Sequence, residues 1–544
     1  MTHLKYLIVT LAAALSLAGA EADLWKQAGA NGAQVDEIFA RTRKMVHGWL
    51  AYADKETLLL PDRLPGLIRG KPNTESAYTP HNSGADNYPY LIITAWFTDP
   101  ELYRGRMMDM LRNEIRFTTR DGAIPANLDF KTRQLGPPSF FGAGEYAKDG
   151  LLSVTELLGR TPWYYRMIDM MEDYRKRAPV RTRFGNLPDE GAELNGDVPQ
   201  SLVRMIPMTS DPRQLEWAEQ IADAYVEEIL PANNYLPGYK WDFAKKTDTG
   251  TTRLRDHGNE TIVGLTLLLA VETELGRPKA VRYREAVGRM LDHVLASANP
   301  DGMLYNVVNN ADLKPRDTRL SDNWGYVYGA VYSYYLLTGE VKYRDAVRRV
   351  LANLPKYRGY DWESGSMDGY ADSIESALYL VAREPVPEAL DWIESEMKTL
   401  INYQQPDGPI ERWYGDGNWN RTLLLYAMMK TQGCFLKDWQ PGVELGVVRD
   451  GDRLLVSVHA ARPWKGSVAF DYARHRRIFN YTKNWVRLNE WPEWSAVDEN
   501  TLYRVEDPAT GKFDVRLGSE LKEGLALEAK AGATLRRVVT RLQP

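Results

Sequence analysis

The chain has 544 residues, 44% of them apolar and 26% charged; this is a soluble composition with enough apolar content for a large core, and it excludes a disordered, collagen-like or disulfide-scaffold protein. Lysine and arginine total 68 against 73 acids, a net charge of −5 without a basic tail, so a nucleic-acid partner has no electrostatic footprint to bind. The one cysteine, Cys434, can form neither an internal disulfide nor a zinc site alone, and reads as a small buried apolar residue.

At the start of the chain Lys5 precedes an apolar run from Leu7 to Ala18, followed by Gly19, Ala20 and Ala22. This is the pattern of a secretory signal cut after Ala20 or Ala22, so residues 1–22 are expected to be removed and the protein to be periplasmic or secreted. The run is too short for a membrane span of ~20 residues and no later stretch approaches one, so no integral membrane segment is expected after cleavage.

A repeated pattern follows. Tyr103, Tyr164, Trp217, Tyr283 and Tyr343 each have apolar residues four and seven positions on, such as Met107 and Met110, or Val287 and Met290, and a degenerate copy surrounds Trp392. That spacing marks one face of an amphipathic helix. Ile38, Met45, Val46, Trp49 and Leu50 predict a further helix near the N-terminus. The anchors lie 49 to 66 residues apart, room for two helices and two loops per unit. Between them, segments near 85–97, 143–158, 196–208, 258–275, 323–338, 369–382 and 417–430 are apolar on most sides, as in LTLLLAVE and SALYLVA, and predict buried helices. An outer ring of amphipathic helices around an inner apolar ring is an α/α toroid. The expected fold is mainly α, an (α/α)6 or (α/α)7 toroid over residues 23–438, with six pairs if the first is an appendage and seven otherwise. After Pro441-Gly442 the period changes to alternation around Asp450-Gly451-Asp452 and in TLYRVED and FDVRLG, predicting a small C-terminal antiparallel β-sandwich over residues 443–544. Trp485, Trp491 and Trp494 read as core between this domain and the ring, with sugar stacking as the alternative.

In such a ring the loops leading into the inner helices converge on one end of the axis, so their polar residues should share a cleft. They supply His81, Asp86 and Tyr88; Glu145; Arg255, Asp256, His257 and Asn259; Asp322, Asn323, Trp324 and Tyr326; Asp368, Tyr370 and Asp372; and Trp413, Trp419 and Arg421. The same entries also carry Asn82, Asp149, Asp416 and Asn418. Any one of these acids can be a helix N-cap. Caps, however, do not call for neighbouring Trp, Tyr, His and Arg. Carboxylates beside aromatic rings suit a sugar, whose C–H faces stack while its hydroxyls are hydrogen-bonded. The histidines are scattered, so no zinc site and no cofactor is expected; Asp- and Asn-rich loops leave a structural calcium open.

Over residues 35 to 430 the chain resembles the α/α-toroid carbohydrate-active enzymes, a superfamily that includes glycoside hydrolases, among them unsaturated glucuronyl hydrolases, and polysaccharide lyases. The resemblance implies acids at the starts of inner helices as catalysts, which maps to Asp256, Asp322, Asp368 and Asp372, with Asp256 and Asp322 the best pair. The expected activity is hydrolysis of a polysaccharide or oligosaccharide, with acidic sugars favoured, one carboxylic acid protonating the glycosidic oxygen and another activating water or attacking the anomeric carbon. Arg255, His257 and Arg421 would hold an anionic substituent and Trp324, Tyr370, Trp413 and Trp419 would form sugar platforms. The first alternative is a lyase that abstracts the proton next to a uronate carboxylate, using Arg255, His257, Asn259 and Tyr326; the others are a non-catalytic glycan binder and a sugar epimerase.

Overall fold

The computed structural model describes residues 2–68, 71–73 and 76–542, with side chains from residue 19 onward except that of Leu67. The apolar run Leu7–Ala18 of the export-signal reading lies outside the described side chains. In chain order, outer and inner helices alternate: outer α1 (Thr2–Leu50), inner α2 (80–98), outer α3 (100–118), inner α4 (140–158), outer α5 (Pro162–Arg177), inner α6 (Leu194–Thr209), outer α7 (212–232), inner α8 (Glu260–Glu274), outer α9 (Lys279–Ala296), inner α10 (Trp324–Thr338), outer α11 (Val341–Asn353), inner α12 (Met367–Val381), outer α13 (Pro387–Ile401) and inner α14 (Asp416–Lys430). Each inner helix packs on the next, and α14 closes the ring against α2. The helix α1 lies over that seam, in contact with both. It is a full member of the outer layer, and among the described residues the toroid has seven hairpins.

The periodicities explain the layers. On α9, Tyr283, Val287 and Met290 are buried on one face, while Arg282, Glu285 and Arg289 face outward. On α10 every residue from Trp324 to Tyr334 is buried, as befits a helix covered on all sides. Three Asp-Gly turns, at Gly122, Gly302 and Gly408, put glycine in the left-handed region (φ +96°, +94° and +114°), where a side chain would be strained.

The inner helices approach one another closely at their N-terminal ends. A Cβ on Gly196 of α6 would lie 2.1 Å from the backbone carbon of Glu260 at the start of α8, and one on Gly417 of α14 would lie 1.8 Å from the carbonyl oxygen of Asp86 in α2. These glycines let backbone meet backbone around the axis and draw the polar ends of the helices into one narrow group.

After the ring come β1 (Phe435–Leu436), β2 (Val443–Asp450), β3 (Arg453–Ala460), β4 (Trp464–Ala469), the short helix α15 (Arg474–Phe479), β5 (Leu502–Glu506), β6 (Phe513–Leu517), α16 (Gly518–Glu523), β7 (Leu525–Ala529) and β8 (Ala533–Arg541). They form a five-stranded antiparallel sheet of order β2-β3-β8-β5-β6 and a three-stranded one of order β1-β4-β7. Asp450 pairs with Arg453, so Gly451-Asp452 is the tight hairpin loop that the alternation predicts. Trp25 and Ala28 of α1 pack with Val448, Leu455 and Val538 of the larger sheet, so one helix serves both the ring and the sheets. Among the described residues no helix is long and apolar enough to cross a membrane.

Candidate active site

The N-terminal ends of the inner helices surround a cavity of about 750 Å³. Of the residues singled out from the sequence, His81, Asp86, Glu145, Arg255, Asp256, His257, Asp322, Asn323, Tyr326, Asp368, Asp372, Trp413 and Arg421 line it. All four candidate catalytic acids are therefore brought together.

Two inner helices contain wide π-helical turns, Pro80–Asn87 at the start of α2 and Tyr146–Leu151 within α4, packed against each other. Such turns are uncommon and recur at functional sites. Asp62 clamps the first, accepting from the backbone N–H of Thr79 at 3.0 Å, the Thr79 hydroxyl at 2.7 Å, Asn82 Nδ2 at 2.7 Å and the Ser83 hydroxyl at 2.8 Å. The turns present Asp86 and Asp149 to the cavity. Among the described residues none hydrogen-bonds to the Asp86 carboxyl; burial, and then the charge of Asp149, push it well above the usual range. Burial acts on Asp149 too, but Lys148, 2.9 Å away, then the carboxyl of Glu145, and last Asn489, which donates at 2.9 Å, outweigh it and hold Asp149 below its ordinary value.

Across the cavity Asn323, buried at the start of α10, ties three elements together. Its Oδ1 accepts from the backbone N–H of Asp256 at 2.9 Å and its Nδ2 donates to Asp372 Oδ2 at 2.9 Å. Its own backbone N–H donates to Asp322 Oδ1 at 3.0 Å. Asp322 is 2% exposed. Burial pushes its carboxyl up to about 7 despite Arg255, whose Nη2 donates to Oδ2 at 3.2 Å. Asp256 behaves oppositely: enclosure in the cleft raises it, but His257 and Lys148 more than reverse that and keep it ionised below its ordinary value. His257 bridges Asp256, 3.2 Å from Nε2, and Glu193, to which Nδ1 donates. With Asp256 as the main cause, the imidazole is pushed up to about 11 and stays protonated at neutral pH.

Asp368 and Asp372 are both raised, by burial first and then by neighbouring acids, Glu363 for Asp368 and Asp368 for Asp372. Asn418 donates to Asp368 at 2.5 Å. Arg421 spends its donors on Glu375, Tyr90, Asn489, Tyr326 and Asp372. Arg255 is likewise engaged with Asp322 and Glu363. The three cations expected to hold an anionic substituent are thus all paired with acids of the protein.

Five sequence-derived candidates lie outside the cavity lining. Tyr88 donates to the Met107 carbonyl at 2.6 Å, in the layer between α2 and α3. Asn259 is fully buried beneath the start of α8. Trp324 points its Nε1 at Ser373 (3.0 Å) and Trp419 at the Leu400 carbonyl (2.9 Å), both completely buried. Tyr370 donates to Glu396 on α13. On a helix, adjacent positions point about 100° apart, so a ring next to a cleft acid in sequence faces the neighbouring helix instead. The aromatic rings at the cavity are Tyr326, whose hydroxyl accepts from Arg421, and Trp413, Tyr414 and Phe141. Trp413 and Tyr414 meet edge to face at 4.6 Å, and Phe141, 37% exposed, stands 5.5 Å from His81. Asn82, Asp149 and Asn418, carried by the same entries, line it too, while Arg63, Lys148, Arg253 and Glu363 are lining residues not singled out from the sequence. Lys148 lies in the segment that supplied Glu145 and Asp149. Glu363 precedes α12 in a turn that carries no pattern of its own.

Among the described residues no group of three or more His, Cys, Asp or Glu side chains is arranged to hold a metal ion. Lys148, buried against Asp149, Asp197 at 3.5 Å and Glu260 at 3.7 Å, supplies the positive charge on the cavity floor.

No family model matches the sequence and no curated protein does. Solved structures with partial likeness include a sugar epimerase from a ruminal bacterium, 11% identical over 61% of this chain and 89% of that one, with a TM-score of 0.42. The unsaturated glucuronyl hydrolase of Bacillus sp. GL1 is 16% identical over 54% of this chain and 87% of its own, at 0.37. A glycoside hydrolase family 76 mannosidase from Bacteroides thetaiotaomicron VPI-5482 is 13% identical over 72% and 99%, at 0.41.

Proposed function

We propose that this chain is an exported glycoside hydrolase that cleaves a polysaccharide or oligosaccharide by carboxylate acid–base catalysis, with Asp322 as the acid and Asp256 as the base or nucleophile. The observation that carries the reading is the opposite displacement of these carboxyls in one cavity: Asp322 up to about 7 by burial, Asp256 down through His257 and Lys148. Glycosidic cleavage needs that division, a protonated carboxyl to donate to the leaving oxygen and an ionised one opposite it. Trp413, Tyr414 and Phe141 offer ring faces for the sugar. Because Arg255, His257 and Arg421 are already neutralised by protein acids, an acidic substituent would have to be met by the other arginines of the lining, Arg63 and Arg253, and both neutral and acidic glycans enter the test. β-Elimination is less well supported, since Asn259 of its residue set is buried away from the cavity.

A second assignment of the same chemistry has its own support. Asp86 and Asp149 show the same division of protonation and sit on the two facing π-helical turns. The two assignments are separated by asparagine variants of all four acids assayed on a panel of neutral and acidic glycans. The pair that acts should lose ~100-fold or more in turnover when either member is changed, the other pair much less. Products carrying the mass of one water, without a new ultraviolet-absorbing double bond, are expected. Unsaturated products would establish the lyase reading, and an isomerised sugar of unchanged mass the epimerase one. In the hydrolase, kcat/KM should fall on the alkaline side with a midpoint near 7 as Asp322 loses its proton; a rate flat to pH 9 would remove Asp322 as the acid.

A further inference from the structure

The segment between α15 and β5 leaves the sheets and crosses the ring axis at the end opposite the cleft. Tyr481 donates to the Val203 carbonyl on α6 (2.6 Å), Trp485 to Glu274 on α8 (2.9 Å) and Trp491 to the Ser153 carbonyl on α4 (3.0 Å), while the backbone N–H of Val486 donates to the Ser333 hydroxyl on α10 (2.8 Å). All these partners lie in the C-terminal halves of the inner helices, so the segment closes the bottom of the ring.

Its tip goes further. Asn489 is fully buried, with a left-handed backbone (φ +61°), a conformation asparagine tolerates better than other side chains. Its Nδ2 donates to Asp149 Oδ1 at 2.9 Å and to the Lys148 carbonyl at 3.0 Å, and its Oδ1 accepts from Arg421 Nη1 at 3.0 Å. Both amide hydrogens and the oxygen are used. The reversed amide would set NH₂ against a guanidinium, so the network itself fixes the orientation. One amide therefore joins α4 to α14, through residues that both line the cavity, and it comes from outside the ring.

We infer that Asn489 is a positioning residue of the active site, delivered through the floor of the toroid by the C-terminal segment to hold Asp149 and Arg421 in register. This rests on the second assignment of the proposed function, in which Asp149 is the ionised carboxylate whose titration sets the acid limb. The groups around Asp149 are Lys148 and Glu145 on its own helix, Asp86 and Tyr90 on α2, Asp197 on α6, Asp256 before α8, Glu375 on α12 and, across the amide, Arg421 on α14. Among so many acids, losing one donor to the ionised form should make Asp149 bind its proton more readily.

Asn489→Gly is the direct test, because glycine keeps the left-handed backbone without strain and removes only the amide. With the native enzyme as reference, kcat should fall roughly 10- to 100-fold with KM within about threefold, and the acid limb of the pH profile should rise by about one unit. Asn489→Asp, which is isosteric and keeps the acceptor for Arg421, should move the limb at least as far and serves if the glycine variant fails to fold. The Asp149 carboxyl can also be followed without substrate, by ¹³C NMR of protein labelled in aspartate carboxyls, assigned with Asp149→Asn. An unchanged limb and an unchanged Asp149 titration in the folded variants, whatever their melting temperature, would overturn the inference. A wild-type protein that turns over no glycan would instead count against the proposed function, and the carboxyl titration would still decide the role of Asn489.

Discussion

Two aspartates at the starts of inner helices illustrate how one residue type serves chemistry in one place and architecture in another. Asp322 and Asp416 are both buried and both pushed up to about 7, by burial first. Asp416 accepts from Trp49 Nε1 at 2.9 Å, the Ile410 N–H at 2.9 Å and the Glu411 N–H at 2.7 Å, which ties the loop before α14 to α1 and keeps the carboxyl out of the cavity lining. Asp322 accepts from Asn323 and Arg255 and faces the cavity. Asp416→Ala should therefore cost stability, about 1–3 kcal/mol for each donor left without a partner, measurable by denaturant unfolding. Asp322→Asn should leave unfolding nearly unchanged and abolish most turnover. The reverse outcome would exchange their roles. The sequence placed both acids at the end of the ring where the cleft lies, because loops into inner helices must converge there. It could not separate them, since the difference lies in what faces each carboxyl from distant parts of the chain. For the same reason Trp324 and Trp419 read as platforms from their neighbours in sequence, yet their rings are buried between helices.

At the scale of elements, helix spacing carried most of the information. The seven apolar segments coincide with the inner helices to within a few residues, except that α2 starts earlier, at Pro80, through its π-helical turn, which no period of 3.6 could reveal. Tight helix contacts are also invisible to hydrophobic patterning, because they are made by glycines. Gly196→Ala should force α6 off the start of α8 and destabilise by at least about 1–3 kcal/mol, the usual cost of overpacking; the loop that carries Asp256 and His257 leads into α8, so activity should fall as well. Gly105→Ala on the outer α3, where a Cβ would meet nothing within 4 Å, should be neutral or stabilise by about 0.5–1 kcal/mol. Equal effects of the two substitutions in a urea melt would show that the inner contacts can yield.

Over the whole molecule, the C-terminal segment connects parts that the sequence left separate. A tryptophan-rich loop could be read as interface core, and Trp485 and Trp491 are buried in that way, but no local pattern signals that it crosses the ring axis. Nor does the order of residues reveal the buried ion network that accompanies it. Glu490 accepts from Arg383 at 2.7 and 3.0 Å and lies 3.1 Å from Arg487. Arg487 in turn reaches Glu156 on α4 at 2.9 Å, and Glu156 also accepts from Arg204 on α6 at 3.0 Å. All five side chains are at most 8% exposed. Removing one member strands charges already taken out of water, which typically costs 3–5 kcal/mol. Glu490→Ala should therefore lower unfolding stability by about that much, although it lies at the opposite end of the ring from the cleft. A chain ending at Gln440 would take Glu490 from Arg383, Arg487 from Glu156 and Asn489 from Arg421 together and should not form a stable ring. A soluble, cooperatively melting fragment of residues 23–440 would show that the inner helices hold the toroid alone and that the segment matters only for the site above it.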